Sequence, residues 1–206
     1  MTDRQSAPID RRRDLMQAAR DLFRERGFGS TPVSAIVQRA GVSQGTFYLY
    51  FKGKQALLAD LRREVFRTYA TTLRDIAALP VPADERLARV VPAMAAAVRD
   101  NLDLERMFRF AESGEASVLA VREGRSRLAL LATEFVVEGA ASGHLSVRDP
   151  RRTADIIVLL FDQILFETLA FEPEALDAVL QASLRMVLRA TGVPDPRVES
   201  LVEEVL

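Results

Sequence analysis

Apolar residues recur along most of this chain at spacings of three and four positions, the period of an amphipathic α-helix. The pattern predicts an all-α fold with an amino-terminal domain over residues 1–54 and a second helical domain over residues 55–206. Residues 1–9 are polar and predict an arm before the first helix. The most apolar run, 156–161, is far shorter than the ~20 residues that a membrane helix needs. We therefore expect no membrane segment.

Prolines, glycines and capping residues divide the pattern into separate helices. The predicted helices cover 11–26, a short segment ending near residue 40, 44–50, 54–78, a segment capped by Asp84, 104–111, a long segment through residue 135, 150–171 and 174–191. A break is expected around Ser113 and Gly114, and the residues after 191 predict a short helical tail.

The segment 31–51 predicts two short helices joined by a tight turn. Thr31 is a favourable N-cap residue, and Pro32 suits the first helical position because the N–H that it lacks would be unsatisfied there. Gly41 can adopt the left-handed backbone that ends a helix, and Ser43 is a good N-cap for the next one. Two helices joined in this way form a helix-turn-helix, whose second helix can enter the major groove of DNA.

The second of these helices, over 44–50, is expected to pack Phe47 and either Tyr50 or Phe51 inward. Its outward residues are then Gln44, Gly45, Thr46 and Tyr48. A glutamine pairs with adenine, a threonine offers a hydroxyl or a methyl group to a base, and a glycine lets the backbone approach a phosphate. The alternative is an ordinary pair of helices without DNA binding, since a glycine-linked pair is common in all-α proteins.

The residues Val-Ser-Gln-Gly-Thr-Phe-Tyr-Leu-Tyr-Phe-Lys-Gly-Lys-Gln-Ala-Leu-Leu at 42–58 favour DNA binding, because they closely resemble the TetR/AcrR family of bacterial transcriptional regulators. The resemblance extends back through Thr31 to about Arg11, the first quarter of the chain. It implies an amino-terminal three-helix helix-turn-helix DNA-binding domain and a carboxy-terminal helical ligand-binding and dimerisation domain.

The resemblance also implies individual DNA contacts. The residue matching Thr31 caps the second helix and donates to a phosphate, since a helix N-terminus attracts anions. Other matching positions hold the DNA backbone or lie near base edges. The predicted DNA-binding residues are Thr31, Ser43, Gln44, Gly45, Thr46, Tyr48, Tyr50 and Lys54.

The distribution of charge agrees with a DNA-binding amino-terminal domain. Residues 1–54 carry 10 Lys and Arg against 5 Asp and Glu, whereas residues 55–206 carry 18 against 24. A basic domain attracts phosphate and an acidic one does not. The chain has no cysteine, and its first residues do not resemble a signal peptide, so we expect a cytoplasmic protein.

The sequence gives no indication of an enzyme, a cofactor or a metal site. It contains no nucleophile elbow, dinucleotide-binding glycine motif, phosphate loop or cluster of metal ligands. His144 is the single histidine, beside Gly143 at a predicted helix end, and we interpret it as structural.

Large apolar side chains occupy the middle of the second domain, with charged residues among them. They form either a filled core or a cavity for a small-molecule effector with a few polar anchors. The candidate ligand-binding residues are Met94, Arg106, Phe108, Phe110, Phe135 and Glu138.

The last two long helices are apolar over more of their circumference than the outer helices of a monomer require. The resemblance implies that they form a four-helix bundle between two subunits. The predicted dimerisation residues are Ile157, Leu160, Phe161, Ile164, Leu165, Leu180, Leu184 and Val187. A symmetric dimer also suits a short recognition helix, because two copies together read a palindromic DNA site.

Three hypotheses therefore remain. In the first, the chain is a ligand-responsive homodimeric repressor that binds double-stranded DNA at a palindromic operator and responds to an unidentified small-molecule effector. In the second, it is a transcriptional activator with the same architecture. In the third, it is a helical protein-interaction dimer that does not bind DNA.

Overall fold

The computed structural model describes residues 8–110 and 115–206, with side-chain environments for 11–109 and 115–206. Over these ranges the chain is helical and contains no strand, so the all-α prediction is confirmed. Its elements are α1 (Pro8–Arg26), α2 (Val33–Arg39), α3 (Gln44–Tyr50), α4 (Lys54–Ala77), α5 (Ala83–Asp100), α6 (Leu102–Phe110), α7 (Glu115–Ala141), α8 (Pro150–Phe171), a short 3-10 helix (Pro173–Ala175), α9 (Leu176–Ala190) and α10 (Asp195–Val205).

Two predicted helix starts are wrong. Helix α1 begins at Pro8 rather than at residue 11, so the last part of the predicted arm is helical, while residues 1–7 lie outside the described residues. The N-cap of α5 is Pro82, so Asp84 lies inside the first turn instead of capping it, and its carboxylate accepts a hydrogen bond of 2.7 Å from Arg197. The predicted break at Ser113 and Gly114 also lies outside the described residues.

The first of two compact units comprises Met1–Glu64 and Asp103–Val121, as far as these are described. It contains α1 to α3, the start of α4, α6 and the start of α7. Its core is built from almost fully buried apolar side chains: Leu15, Leu22, Ile36, Phe47, Phe51, Leu57, Leu58 and Leu61. Burial of these side chains holds α2 and α3, two helices of seven residues that would be unstable by themselves.

Buried Arg62 of α4 joins α6 and α7 within the same unit. One of its guanidinium nitrogens donates to the Ser117 hydroxyl over 2.8 Å, and the other donates to the carbonyl of Phe108. The guanidinium also lies 4.7 Å from the centre of the Phe108 ring. Because the carbonyls near a helix C-terminus attract a cation, this arginine stabilises the end of α6 against α4.

The second unit comprises Val65–Leu102 and Arg122–Leu206. Its core includes apolar residues of α9 and α10, among them Leu184, Leu188, Val198 and Leu201, each fully buried. Arg197 of α10 also pairs with the Asp84 and Glu85 carboxylates of α5 over 2.7 and 2.8 Å. The predicted tail is therefore a packed helix that belongs to the core of this unit.

Candidate nucleic-acid interface

The turn between α2 and α3 has the geometry that its sequence predicts. Gly41 adopts a φ of +64°, in the left-handed region that favours glycine. The N–H of Val42 then returns to the carbonyl of Val37 over 3.0 Å, so the last turn of α2 is closed by backbone hydrogen bonds. A side chain at position 41 would have space, but it would strain the backbone.

Ser43 caps α3, as predicted. Its hydroxyl oxygen accepts a hydrogen bond of 3.1 Å from the backbone N–H of Thr46, and the hydroxyls of Ser43 and Thr46 lie 2.9 Å apart. The cap satisfies one of the free N–H groups at the start of the helix. The same arrangement makes the Ser43 and Thr46 hydroxyls partners of each other.

Two buried aromatic rings determine which face of α3 is exposed. Phe47 is completely buried and Phe51 almost so, with their ring centres 5.6 Å apart. Phe51, rather than Tyr50, is thus the second inward residue, and Tyr50 is half-buried. The exposed face carries Gln44, Gly45, Tyr48 and Leu49, with Thr46 half-buried at its edge. Leu49 was not among the predicted DNA-binding residues.

The cap predicted at Thr31 is wrong. The N-cap of α2 is Pro32, and the fully buried hydroxyl of Thr31 donates instead to the carbonyl of Gly27 over 2.7 Å. A buried side chain that already has an acceptor offers no surface to a phosphate. Thr31 therefore joins the end of α1 to the start of α2, and its hydroxyl supports the helix-turn-helix from behind.

Lys54, at the start of α4, also supports the connection between α1 and α2. Its ammonium group donates to the carbonyls of Phe28, Thr31 and Gly29 over 2.6, 2.9 and 3.3 Å, and it lies 4.3 Å from the centre of the Phe28 ring. Burial lowers the pKa of Lys54. Because its three N–H donors already have acceptors, a phosphate would have to displace one of them.

A cation of α2 is paired at the surface of the first unit. Arg39 of α2 forms two hydrogen bonds of 2.9 Å with the Glu25 carboxylate, and this contact lowers the pKa of Glu25. Both groups are exposed, so the pair contributes little to stability. Lys52, directly after α3, is exposed. Lys52 was not among the predicted DNA-binding residues, although its position shortly after α3 suits a phosphate contact.

Comparison with known proteins agrees with this geometry. A sequence profile described as "Bacterial regulatory proteins, tetR family" matches residues 15–61. The HTH-type transcriptional regulator YdgC of Bacillus subtilis, itself uncharacterised, is 45% identical over 56 residues, which are 27% of this chain and 29% of that protein. The chain thus matches this relative over less than a third of its length.

Solved structures match nearly the whole chain. FadR, a TetR-family transcriptional repressor of Thermus thermophilus solved with lauroyl-CoA, is 25% identical, with a TM-score of 0.68 over 89% of this chain and 96% of that one. The fatty acid degradation regulator FadR of Bacillus halodurans, at 21% identity, shares the fold, with a TM-score of 0.73 over 93% and 100% of the two chains.

The helix-turn-helix and the all-helical second unit thus define a class, the helix-turn-helix regulators with a helical carboxy-terminal part. Residues 15–61 match the model of the TetR family of bacterial transcriptional regulators, and the fold as a whole is similar to that of solved TetR-family proteins.

The second unit contains an apolar cavity between α4, α5, α7 and α8, with an atom-free space of about 580 Å³ that includes a part open to solvent. It is lined by Tyr69, Leu73, Val90, Met94, Val98, Leu128, Ala132, Ile157, Val158, Phe161, Asp162 and Leu165. Its single charged lining group is the Asp162 carboxylate, which pairs with Arg125 of α7.

The structure does not bring the six predicted ligand-binding residues into one site. Only Met94 lines the apolar cavity, while Phe135 and Glu138 line a separate recess, where Glu138 pairs with Arg86 over 2.7 Å. The other three residues are elsewhere: Arg106 and Phe108 belong to the first unit, and the side chain of Phe110 lies outside the described residues.

Half of the predicted dimerisation residues are core residues of the second unit. Leu165, Leu180, Leu184 and Val187 are buried, so the prediction that they face a second subunit is wrong. Ile157 and Phe161, like Leu165, line the cavity, and Ile164 is half-buried. Leu160 is exposed, and so are four apolar residues that the prediction missed: Ile156, Leu159 and Phe171 of α8 and Met186 of α9.

Across the part of the chain that the structure describes, no group of His, Asp and Glu side chains has the arrangement of a metal site. None of the helices over residues 8–110 and 115–206 has the length and hydropathy to cross a membrane.

Replacing Lys54 by methionine should lower the thermal unfolding midpoint, because three carbonyls lose their donor while the alkyl chain is kept. The slope of log affinity for DNA against log salt concentration should not change in this variant. Replacing exposed Lys52 by methionine should leave the midpoint unchanged and make the slope of log affinity against log salt shallower by about one unit. If the Lys54 variant made the slope shallower and the Lys52 variant left it unchanged, Lys54 rather than Lys52 would be the residue that binds phosphate.

Proposed function

We propose that this TetR-family regulator is a homodimeric repressor that binds a palindromic operator in the bacterial cytoplasm and releases it when a small-molecule effector binds. The observation that carries the proposal is the outward face of α3. With Phe47 and Phe51 buried, Gln44, Tyr48 and Leu49 project together from a short helix that is fixed by a capped turn. A protruding helix of this kind fits the major groove.

Electrostatics support DNA as the partner. The amino-terminal 54 residues carry an excess of basic side chains, while the rest of the chain is acidic. An acidic second domain is repelled by phosphate, so the basic amino-terminal domain is the part that approaches a duplex. The same asymmetry argues against the third hypothesis, a helical dimer that binds only protein.

The length of α3 and the surface of α8 and α9 both support dimerisation. A helix of seven residues contacts only a few base pairs, so one copy gives little specificity. Ile156, Leu159, Leu160 and Met186 are exposed on the two helices that the resemblance to the TetR/AcrR family implies at a subunit interface. We propose that these four residues, instead of the buried leucines first predicted, form the contact between two copies.

The cavity supports control by an apolar effector. Eleven of its twelve lining residues are aliphatic or aromatic, and the remaining carboxylate is neutralised by Arg125. A ligand with a hydrocarbon chain suits such walls, and lauroyl-CoA is the molecule bound to the Thermus thermophilus repressor. An effector that changes the distance between the two α3 helices needs only ~1–3 kcal/mol of coupling to lower DNA affinity roughly 5- to 150-fold.

Selection of bound duplexes from random DNA tests the DNA-binding part of the proposal. We expect an inverted repeat whose half-site centres are separated by about one helical turn or a multiple of it, bound by two chains. Enrichment of sites without symmetry, or of no site at low salt, would contradict the proposal. A reporter placed behind the selected site then separates repression from activation, because loss of the regulator raises expression only for a repressor.

Replacing Leu159 by arginine should dissociate the dimer, because two cations would be buried at the two-fold contact. Sedimentation should then show monomers and affinity for the palindrome should fall. Leu130→Arg provides the matched control, since Leu130 is a leucine of α7 that is equally exposed. Dissociation by both variants, or by neither, would contradict the proposed interface.

Replacing Ala132 by phenylalanine should fill the cavity from α7 and prevent an apolar effector from entering. Lauroyl-CoA and 1-dodecanol serve as probes, and release of operator DNA is measured by fluorescence anisotropy. We expect at least one probe to release DNA from the native protein and from the Ala141→Phe control, an exposed position of α7, but not from Ala132→Phe. Equal release from both variants would place the effector elsewhere.

A further inference from the structure

Leu49 is the most exposed large apolar side chain among the described residues, with 83% of its surface accessible. It lies in the second turn of α3, next to Tyr48, on the face opposite the buried ring of Phe47. A leucine so exposed contributes nothing to the core of the first unit. Contact of this apolar side chain with water is unfavourable in free energy, and a contact with a partner would remove that penalty.

Leu49 lies among polar side chains on the exposed face of α3. The Ser43 and Thr46 hydroxyls lie 2.9 Å apart and are partners of each other. Gln44 and Tyr48 are exposed and carry polar groups that can reach a base-pair edge. Leu49 adds to them a surface that only an apolar group of a base can match.

Gly45 leaves open space beside Leu49. The glycine lies one helical turn before the leucine, and a side chain at position 49 leans toward that turn. A Cβ atom placed on Gly45 would meet only the Ser43 oxygen, at 3.7 Å. No side chain therefore covers the backbone at Gly45, which allows the leucine to approach the floor of a groove.

Within the major groove, the C5-methyl group of thymine is the apolar group that distinguishes one base pair from another. A leucine can neither donate nor accept a hydrogen bond, so it gains specificity there only by covering this methyl group. We propose that Leu49 is a specificity-determining residue that recognises a thymine methyl group in each half-site. The inference rests on the proposed binding of α3 in the major groove.

The experiment replaces thymines of the selected operator, one symmetric pair at a time, by deoxyuridine. This change removes only the methyl group and leaves base pairing and phosphates intact. Covering one methyl group is worth about a fourfold change in affinity, so we expect about fourfold weaker binding for each sensitive half-site and about sixteenfold for the symmetric pair. At the remaining thymine positions we expect no change.

The Leu49→Ala variant should bind the thymine and deoxyuridine sites with equal affinity at the sensitive position. Its helix should persist, because alanine favours helix and Leu49 has no role in the core. Circular dichroism checks this. The matched control is Leu130→Ala, a change of an exposed leucine outside α3, which should keep the native sensitivity to deoxyuridine.

The outcomes separate this inference from the proposed function. Tight binding of a selected site with no position sensitive to deoxyuridine would overturn the role of Leu49 and leave DNA binding intact. If Leu49→Ala lost as much affinity on deoxyuridine replacement as the native protein, the role of Leu49 would also be overturned, since another group would then contact the methyl. Failure of the native protein to bind any duplex would overturn the proposed function and this inference with it.

Discussion

The burial of two aromatic rings, Phe47 and Phe51, is the constraint on which the helix-turn-helix depends. Helix α3 has seven residues, too few for a stable helix in isolation, so tertiary packing must hold it. Once these rings enter the core, the direction of every other side chain of α3 is fixed by helical geometry. The exposed combination of Gln44, Tyr48 and Leu49 is therefore a consequence of packing.

Hydrogen bonds to backbone carbonyls complete this support from the opposite side. The Thr31 hydroxyl reaches Gly27, and the Lys54 ammonium reaches three carbonyls between Phe28 and Thr31. A loop between helices has carbonyls without intrahelical partners, and here a hydroxyl and an ammonium group satisfy four of them. Two residues of the TetR signature thus hold the scaffold of the interface, whereas the exposed side chains of α3 form its surface.

Local features could be predicted from the sequence because few residues determine them. The left-handed turn at Gly41, the Ser43 cap and the bounds of α3 each depend on groups within a few positions. The roles of Thr31 and Lys54 could not be predicted in the same way, since Lys54 acts on a loop 23 to 26 residues away. Capping preference identified Thr31 as a cap, but burial gave its hydroxyl a different acceptor.

The same distinction applies to the second unit. Helix α8 is apolar over much of its circumference, so periodicity alone does not separate its core face from its outer face. Leu165 points into the core and the cavity, whereas Ile156 and Leu159 are exposed, and only the packing of α8 against its neighbours decides between them. The cavity likewise combines side chains of four helices. The sequence of any one helix does not indicate which residues of the others it meets.

The central claim is that the exposed face of α3 enters the major groove of two half-sites. Dimethyl sulfate protection on the selected operator tests it most directly, because the reagent methylates guanine N7 in the major groove and adenine N3 in the minor groove. The account predicts two symmetric clusters of protected guanines about one helical turn apart or a multiple of it, with adenines unprotected there. Protection confined to adenine N3, or a single cluster without symmetry, would contradict it.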